Sequence, residues 1–164
     1  MRYCFSVIFT VLFLNALPTL HSQNYRTALG LRLGAPHCVS LKHFTSNVGA
    51  IEVFAGYRYR GRKDSWFNLG GLYEHHFPIT GAPGLKWYVG GGATVLLWDY
   101  VDNRPPAGYA RATVSLLGAL GLDFKFPKAP INLSADWVPI VFLGYVGPYF
   151  GGGYGAISVR YAFD

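Results

Sequence analysis

The chain has 164 residues, of which only 13% are charged while 17% are aromatic, with 21 glycines. A soluble domain carries about 25% charged residues, so a surface kept in water mainly by charge is excluded. The formal net charge of +6 comes from basic residues scattered along the chain, and nucleic-acid binding, which needs a basic patch or stripe, is not expected.

The first element is a leader. Met1-Arg2-Tyr3 is a short basic start, Cys4 to Leu14 is apolar, and Asn15 to Gln23 turns small and polar. That is the layout of a secretory signal peptide, and the run is shorter than the ~20 residues that span a bilayer as a helix. The expected division is a cleaved signal over residues 1–22 and one mature domain over 23–164. Cys4 leaves with the signal, so Cys38 stands alone and no intramolecular disulfide can form. No cysteine closes the apolar run as a lipid-anchor site.

From Tyr25 onward the pattern has period two, the signature of strands. Eight segments show it: Tyr25 to Gly34, His37 to Thr45, Val48 to Tyr59, Trp66 to Phe77, Lys86 to Trp98, Thr113 to Phe126, Ile131 to Val141 and Gly155 to Asp164. Each has one apolar face and one face of Gly, Ala, Ser and isolated charges. In the last, Ile157, Val159, Tyr161 and Phe163 oppose Ala156, Ser158, Arg160 and Ala162. Most segments run about 9–13 residues, close to the ~9–11 of a membrane-crossing strand and longer than the ~5–6 typical of soluble ones. Thr45 to Asn47, Pro78 to Gly84 and Pro127 to Pro130 are compact turns. Asp99 to Ala112 and Leu143 to Gly153 are longer connectors, and Ala35-Pro36 is a short one on their side.

Alternation alone does not say which face is wet. The polar face is too thin for water, since a soluble surface carries ~25–35% charged residues. Its charges are of mixed sign and could pair inside a narrow barrel. They are Arg26, Arg32, Lys42, Glu52, Arg58, Glu74, Lys86, Asp123, Lys125, Asp136 and Arg160. Aromatics gather at strand ends, with Tyr25, Tyr73, Phe77, Trp87, Phe124, Tyr161 and Phe163 toward one rim. Tyr57, Tyr59, Phe67, Trp98, Phe142 and Tyr145 lie toward the other. Two aromatic rings are what the two interfaces of a bilayer favour. The expectation is an all-β, eight-stranded antiparallel up-and-down transmembrane barrel, apolar outside, with a filled polar interior. The inverse arrangement, a soluble lipocalin-like carrier, buries the apolar face.

LGLRLG at Leu29 to Gly34, VSLKHF at Val39 to Phe44, KWYVGGGA at Lys86 to Ala93, INLSADWVP at Ile131 to Pro139 and AISVRYAF at Ala156 to Phe163 carry a resemblance. The chain resembles the small eight-stranded outer-membrane barrels of Gram-negative bacteria, of the OmpA/OmpX size class. More narrowly, it resembles an uncharacterised outer membrane protein beta-barrel family. The resemblance implies an integral place in the outer membrane and biogenesis through the barrel-assembly machinery. Members end on an aromatic, whereas here Asp164 follows Phe163.

Some barrels of this size modify lipid A as acyltransferases or deacylases, and such chemistry needs a nucleophile, a histidine base and an orienting carboxylate together. Glu74-His75-His76 is the nearest approach, but on a strand the two histidines face opposite sides, and only Glu74 and His76 share the interior. His37 and Ser40 also fall on opposite faces. No zinc-ligand spacing occurs, and neither glycine run leads into a phosphate-binding motif. No catalytic, metal or cofactor residues are therefore expected. The expected role is that of a non-catalytic, monomeric envelope barrel in contact with outer-membrane lipid and lipopolysaccharide. Arg104, Tyr109 and Arg111 of the longest loop are the candidate surface contacts. The alternatives are a lipid A-modifying enzyme, the soluble carrier and an open pore.

Overall fold

The computed structural model describes residues 25–34, 36–59, 65–99, 111–144 and 147–163. The expected signal peptide, Arg104, Tyr109 and Tyr145 lie outside these residues. Eight strands follow one another: β1 (Thr27–Leu33), β2 (His37–Phe44), β3 (Gly49–Arg58), β4 (Ser65–Pro78), β5 (Leu85–Asp99), β6 (Ala112–Lys125), β7 (Ile131–Gly144) and β8 (Gly147–Phe163). Each pairs antiparallel with the next, and β8 returns to β1, from Thr27 opposite Phe163 to Leu33 opposite Ile157. The sheet is a closed barrel, so no strand is left with an unpaired edge.

The short turns over residues 45–48, 79–84 and 126–130 share one end of the barrel with the start of β1 and the finish of β8. Gly81 and Gly84 both take φ 84° there, a left-handed backbone that a side chain would strain. The other end carries the connections that follow β1, β3, β5 and β7.

Seven strands lie close to their expected spans; β8 differs. Leu143 to Gly153 reads as a connector, yet β7 runs to Gly144 and β8 starts at Gly147, with Leu143 opposite Pro148 and Val141 opposite Phe150. Pairing breaks step once, between Pro139 and Val141, where proline has no N–H for the ladder. Gly151, Gly152 and Gly153 have no side chains to display a period, so the pattern is silent where the strand continues.

Parity sorts the side chains into two environments. Leu31 on β1, Val39 on β2, Leu69 on β4, Leu116 on β6 and Ile157 on β8 point outward, each 50% or more exposed. Their sequence neighbours point inward, and all but Gly30 and Gly70 are buried. Interior packing is apolar at both ends. Tyr25, Ala28, Phe44, Ala50 and Ala162 cluster at the turn end. Phe54, Leu72, Leu117, Val138 and Ile140 fill the interior toward the other end.

Glycines make the room for the large interior rings. A Cβ at Gly70 would stand 2.6 Å from Cζ of Phe54, and one at Gly121 would stand 2.8 Å from Cζ of Tyr88. Overfilling a packed core costs about 1–3 kcal/mol. Gly70→Val should lower the unfolding free energy by that measure, read from a lower urea midpoint. At outward-facing Gly71 a Cβ would meet nothing nearer than 3.6 Å, so Gly71→Ala should unfold close to the parent midpoint.

Candidate functional site

The chemistry of this barrel lies between its two apolar end clusters. Arg160 on β8 reaches across the interior to β3, with its Nη2 2.6 Å from Oε1 of Glu52. Its other nitrogens donate to Ser40 Oγ at 2.7 Å, Ser134 Oγ at 2.8 Å and Asn132 Oδ1 at 3.4 Å. Arg32 on β1 forms a two-pronged contact with Asp136 on β7, at 2.7 and 2.9 Å, and a longer one with Glu52 at 3.3 Å. The Tyr88 hydroxyl also donates to Asp136. Planar guanidinium groups suit this work because their fork matches a carboxylate and leaves donors for further partners.

Lys42 on β2 holds a second set. Its ammonium lies 2.7 Å from Glu74 Oε2, 3.3 Å from Asp123 Oδ1 and 4.0 Å from Glu52 Oε2, over the face of Tyr88 at 4.7 Å. Asp123 accepts a further hydrogen bond from Asn132 at 2.9 Å and a longer one from the Tyr25 hydroxyl at 3.4 Å. His76 lies between the rings of Phe44 and Tyr88, with Nε2 3.5 Å from Glu74 Oε2. An isolated buried ion costs several kcal/mol. Linking the ions in one network, with serines and asparagine taking the remaining donors, offsets that cost.

Of the charged residues read as interior, Arg32, Lys42, Glu52, Glu74, Asp123, Asp136 and Arg160 are buried. Arg58, Lys86 and Lys125 are half-buried near the ends. Arg58 lies over Trp66 at 4.9 Å and Lys86 over Phe44 at 5.1 Å. Lys125 donates to the carbonyls of Phe126 and Ala129, tying the last short turn.

Arg26 is a correction, because it is exposed. The strand stops at Thr27, beyond which the alternation no longer applies. Tyr25 turns inward instead, edge-on to Phe44 at 5.0 Å, and covers the turn end of the interior. Trp98 and Phe142 likewise leave the expected outer ring. Trp98 packs on Trp66 and donates to Thr113, and Phe142 packs against the interior apolar cluster.

Ser40, Tyr88, Asn132 and Ser134 complete the network and were legible only through their parity with the charges. Cys38 is buried beside Asn68. Arg111, the described member of the loop trio, is exposed just before β6, and its carbonyl accepts the Trp98 N–H at 2.8 Å. His75 points outward against Phe77, away from Glu74 and His76. Among the described residues, no group of three or more His, Cys, Asp or Glu side chains could hold a metal ion.

No family model matches the chain. No curated protein matches it. Among solved structures, it is similar to the N-terminal β-barrel domain of Pseudomonas aeruginosa OprF, seen in a crystal structure, with a TM-score of 0.56 and 16% sequence identity over 84% of this chain and 95% of that chain. At that identity the likeness carries the architecture alone. The chain is an eight-stranded, all-antiparallel, closed β-barrel that shares its fold with the OprF barrel domain.

Proposed function

We propose that the chain is a non-catalytic integral barrel of the bacterial outer membrane, exported by a cleaved signal over residues 1–22. One observation carries the reading: the polarity of the barrel is inverted. Outward positions on all eight strands hold apolar side chains, while Arg32, Lys42, Glu52, Glu74 and Arg160 are each no more than 2% exposed. A soluble monomer rarely leaves a continuous apolar patch larger than a few hundred Å², and a band encircling a barrel far exceeds that. A closed barrel is one of only two folds whose backbone is fully paired in lipid.

The aromatics support the same reading. Tyr73, Trp87, Tyr161 and Phe163 are exposed toward the turn end, and Tyr57, Tyr59 and Phe67 toward the other. Both groups are placed as interfacial rings would be. The interior is packed with side chains, which supports a structural or surface-contact role over transport. In this reading the outer strands contact lipid and lipopolysaccharide, and the loop bearing Arg104, Tyr109 and Arg111 faces outside partners. The barrel is a monomer, inserted by the barrel-assembly machinery.

The test is fractionation of cells expressing the full chain. The protein should sediment with outer membranes, resist extraction by urea, and migrate on gels differently before and after boiling. Recovery in the soluble periplasmic fraction would overturn the membrane reading. A change in lipid A acylation on deleting the gene, seen by mass spectrometry, would overturn the non-catalytic part.

A further inference from the structure

Arg58 stands apart from the buried cations of the network. Arg32, Lys42 and Arg160 each hold a carboxylate, at 2.7, 2.7 and 2.6 Å. Arg58, the last residue of β3, meets the face of Trp66 at 4.9 Å and has no ion-pair partner among the described residues. A guanidinium lying on a ring face keeps its N–H edge available to an anion.

Register sets Arg58 in a row. It stands opposite Trp66 on β4, Trp66 stands opposite Trp98 on β5, and the Trp98 backbone N–H donates to the Arg111 carbonyl just before β6, at 2.8 Å. Arg, Trp, Trp and Arg therefore follow one another across a single rung at the loop end. At ~4.8 Å per strand the row spans about 14 Å. The two indoles pack at 4.9 Å and are half-buried, leaving part of each at the mouth. Their N–H groups differ. That of Trp98 donates to Thr113 at 3.0 Å, while that of Trp66 is buried with no acceptor. A buried donor left unpaired is costly, and an incoming acceptor relieves the cost.

We propose that this row is a binding site for a phosphorylated sugar at the loop-side mouth of the barrel. Arg58 takes the phosphate through its fork. The indole faces take the apolar C–H face of the sugar ring, the Trp66 N–H donates to a ligand oxygen, and Arg111 adds positive charge at the far end. The Arg58 stem is held only by its ring contact, so it lifts to admit an oxygen to the buried N–H. The choice of a sugar rests on the outer-membrane reading, which sets this end among the sugars of lipopolysaccharide. A soluble sugar phosphate offers the same chemistry.

The test is a titration of the protein refolded in detergent micelles, followed by the indole N–H resonances of its four tryptophans. Loss of one resonance in Trp66→Phe identifies that of Trp66. N-acetylglucosamine 1-phosphate should move it saturably. N-acetylglucosamine, inorganic phosphate and adenosine monophosphate should each bind about tenfold more weakly or worse, and Arg58→Gln should weaken the sugar phosphate by about tenfold to a hundredfold, the worth of one charge-assisted hydrogen bond. Arg58→Lys should recover part of that loss. A second arm replaces the soluble ligand with lipopolysaccharide. A response that vanishes on dephosphorylation names the lipid as the source, and a response to the soluble ligand alone names a free sugar phosphate; both support the site. Equal binding of the neutral sugar, of phosphate alone or of the nucleotide would overturn the proposal, as would an Arg58→Gln barrel that binds like its parent. The wild-type arm needs no variant to fold, since four unmoved resonances already refute the site. A barrel that sediments with outer membranes but gives no response keeps its place in the membrane and loses this site alone.

Discussion

Replacing Arg160 by methionine is expected to destabilise the barrel by about 3–5 kcal/mol, the usual cost of removing one partner from a buried ion pair. Methionine keeps much of the length, so the loss is mainly one of charge and donors. Glu52 would lose the 2.6 Å contact, and Ser40 and Ser134 would lose theirs. The buried set would then hold two cations against four carboxyl groups. Urea unfolding from detergent or lipid, followed by tryptophan fluorescence, measures the change. The double variant Arg160→Met with Glu52→Gln should recover part of the loss, because a neutral amide replaces the stranded carboxylate and Arg32 keeps its fork on Asp136. If the double variant is as damaged as the single, Arg160 acts through packing and not through the ion network.

One residue earlier in the chain, the opposite environment makes the opposite prediction. Val159 is 45% exposed, with Leu31 on β1 and Leu133 on β7 as its cross-strand partners. It lies near mid-height of β1. On a lipid-facing wall at that depth an arginine costs about 2–4 kcal/mol. On a soluble barrel the same exposed site would tolerate the change within ~0.5 kcal/mol. Val159→Arg, unfolded with urea from phospholipid vesicles, should therefore lose stability by the larger figure, with Val159→Leu as the near-neutral control. A Val159→Arg barrel as stable as its parent would place this face in water. Two adjacent residues thus carry opposite expectations: a cation should be required at 160 and penalised at 159.

The fold was legible because a strand's period of two converts directly into inside and outside. Leu29, Leu31 and Leu33 against Arg32, or Val159 and Tyr161 against Arg160, announce their faces with no help from the rest of the chain. Legibility failed where that conversion has nothing to act on. The early part of β8 contains Gly151 to Gly153, which carry no polarity signal. At Tyr25 and Arg26 the residues are informative, but the ladder has ended, so parity no longer assigns them a side.

The pairing inside the network was also hidden. Lys42 sits directly across the β2–β3 ladder from Glu52, and neighbour counting along the sequence favours that pair. The tighter contact is with Glu74, one strand further round. Strand tilt and stagger decide which residues share a height inside a barrel, and no single segment encodes them. The aromatics show the same limit, since Trp98 and Phe142 are near strand ends as the sequence suggests but turn inward. Composition marks a rim without saying which side of the wall a ring takes.

The seam between β1 and β8 has a consequence for biogenesis. The first strand waits for β8, because that second neighbour is the last of the eight strands to be synthesised. That same segment brings the Arg160 guanidinium, without which Glu52 keeps only Arg32 and a distant Lys42. A nascent chain that has laid down seven strands therefore has two raw edges and an unneutralised centre together, and both defects end in one docking event. A chain truncated before β8 has no comfortable partial state in which to rest, and should be cleared by proteases instead of accumulating.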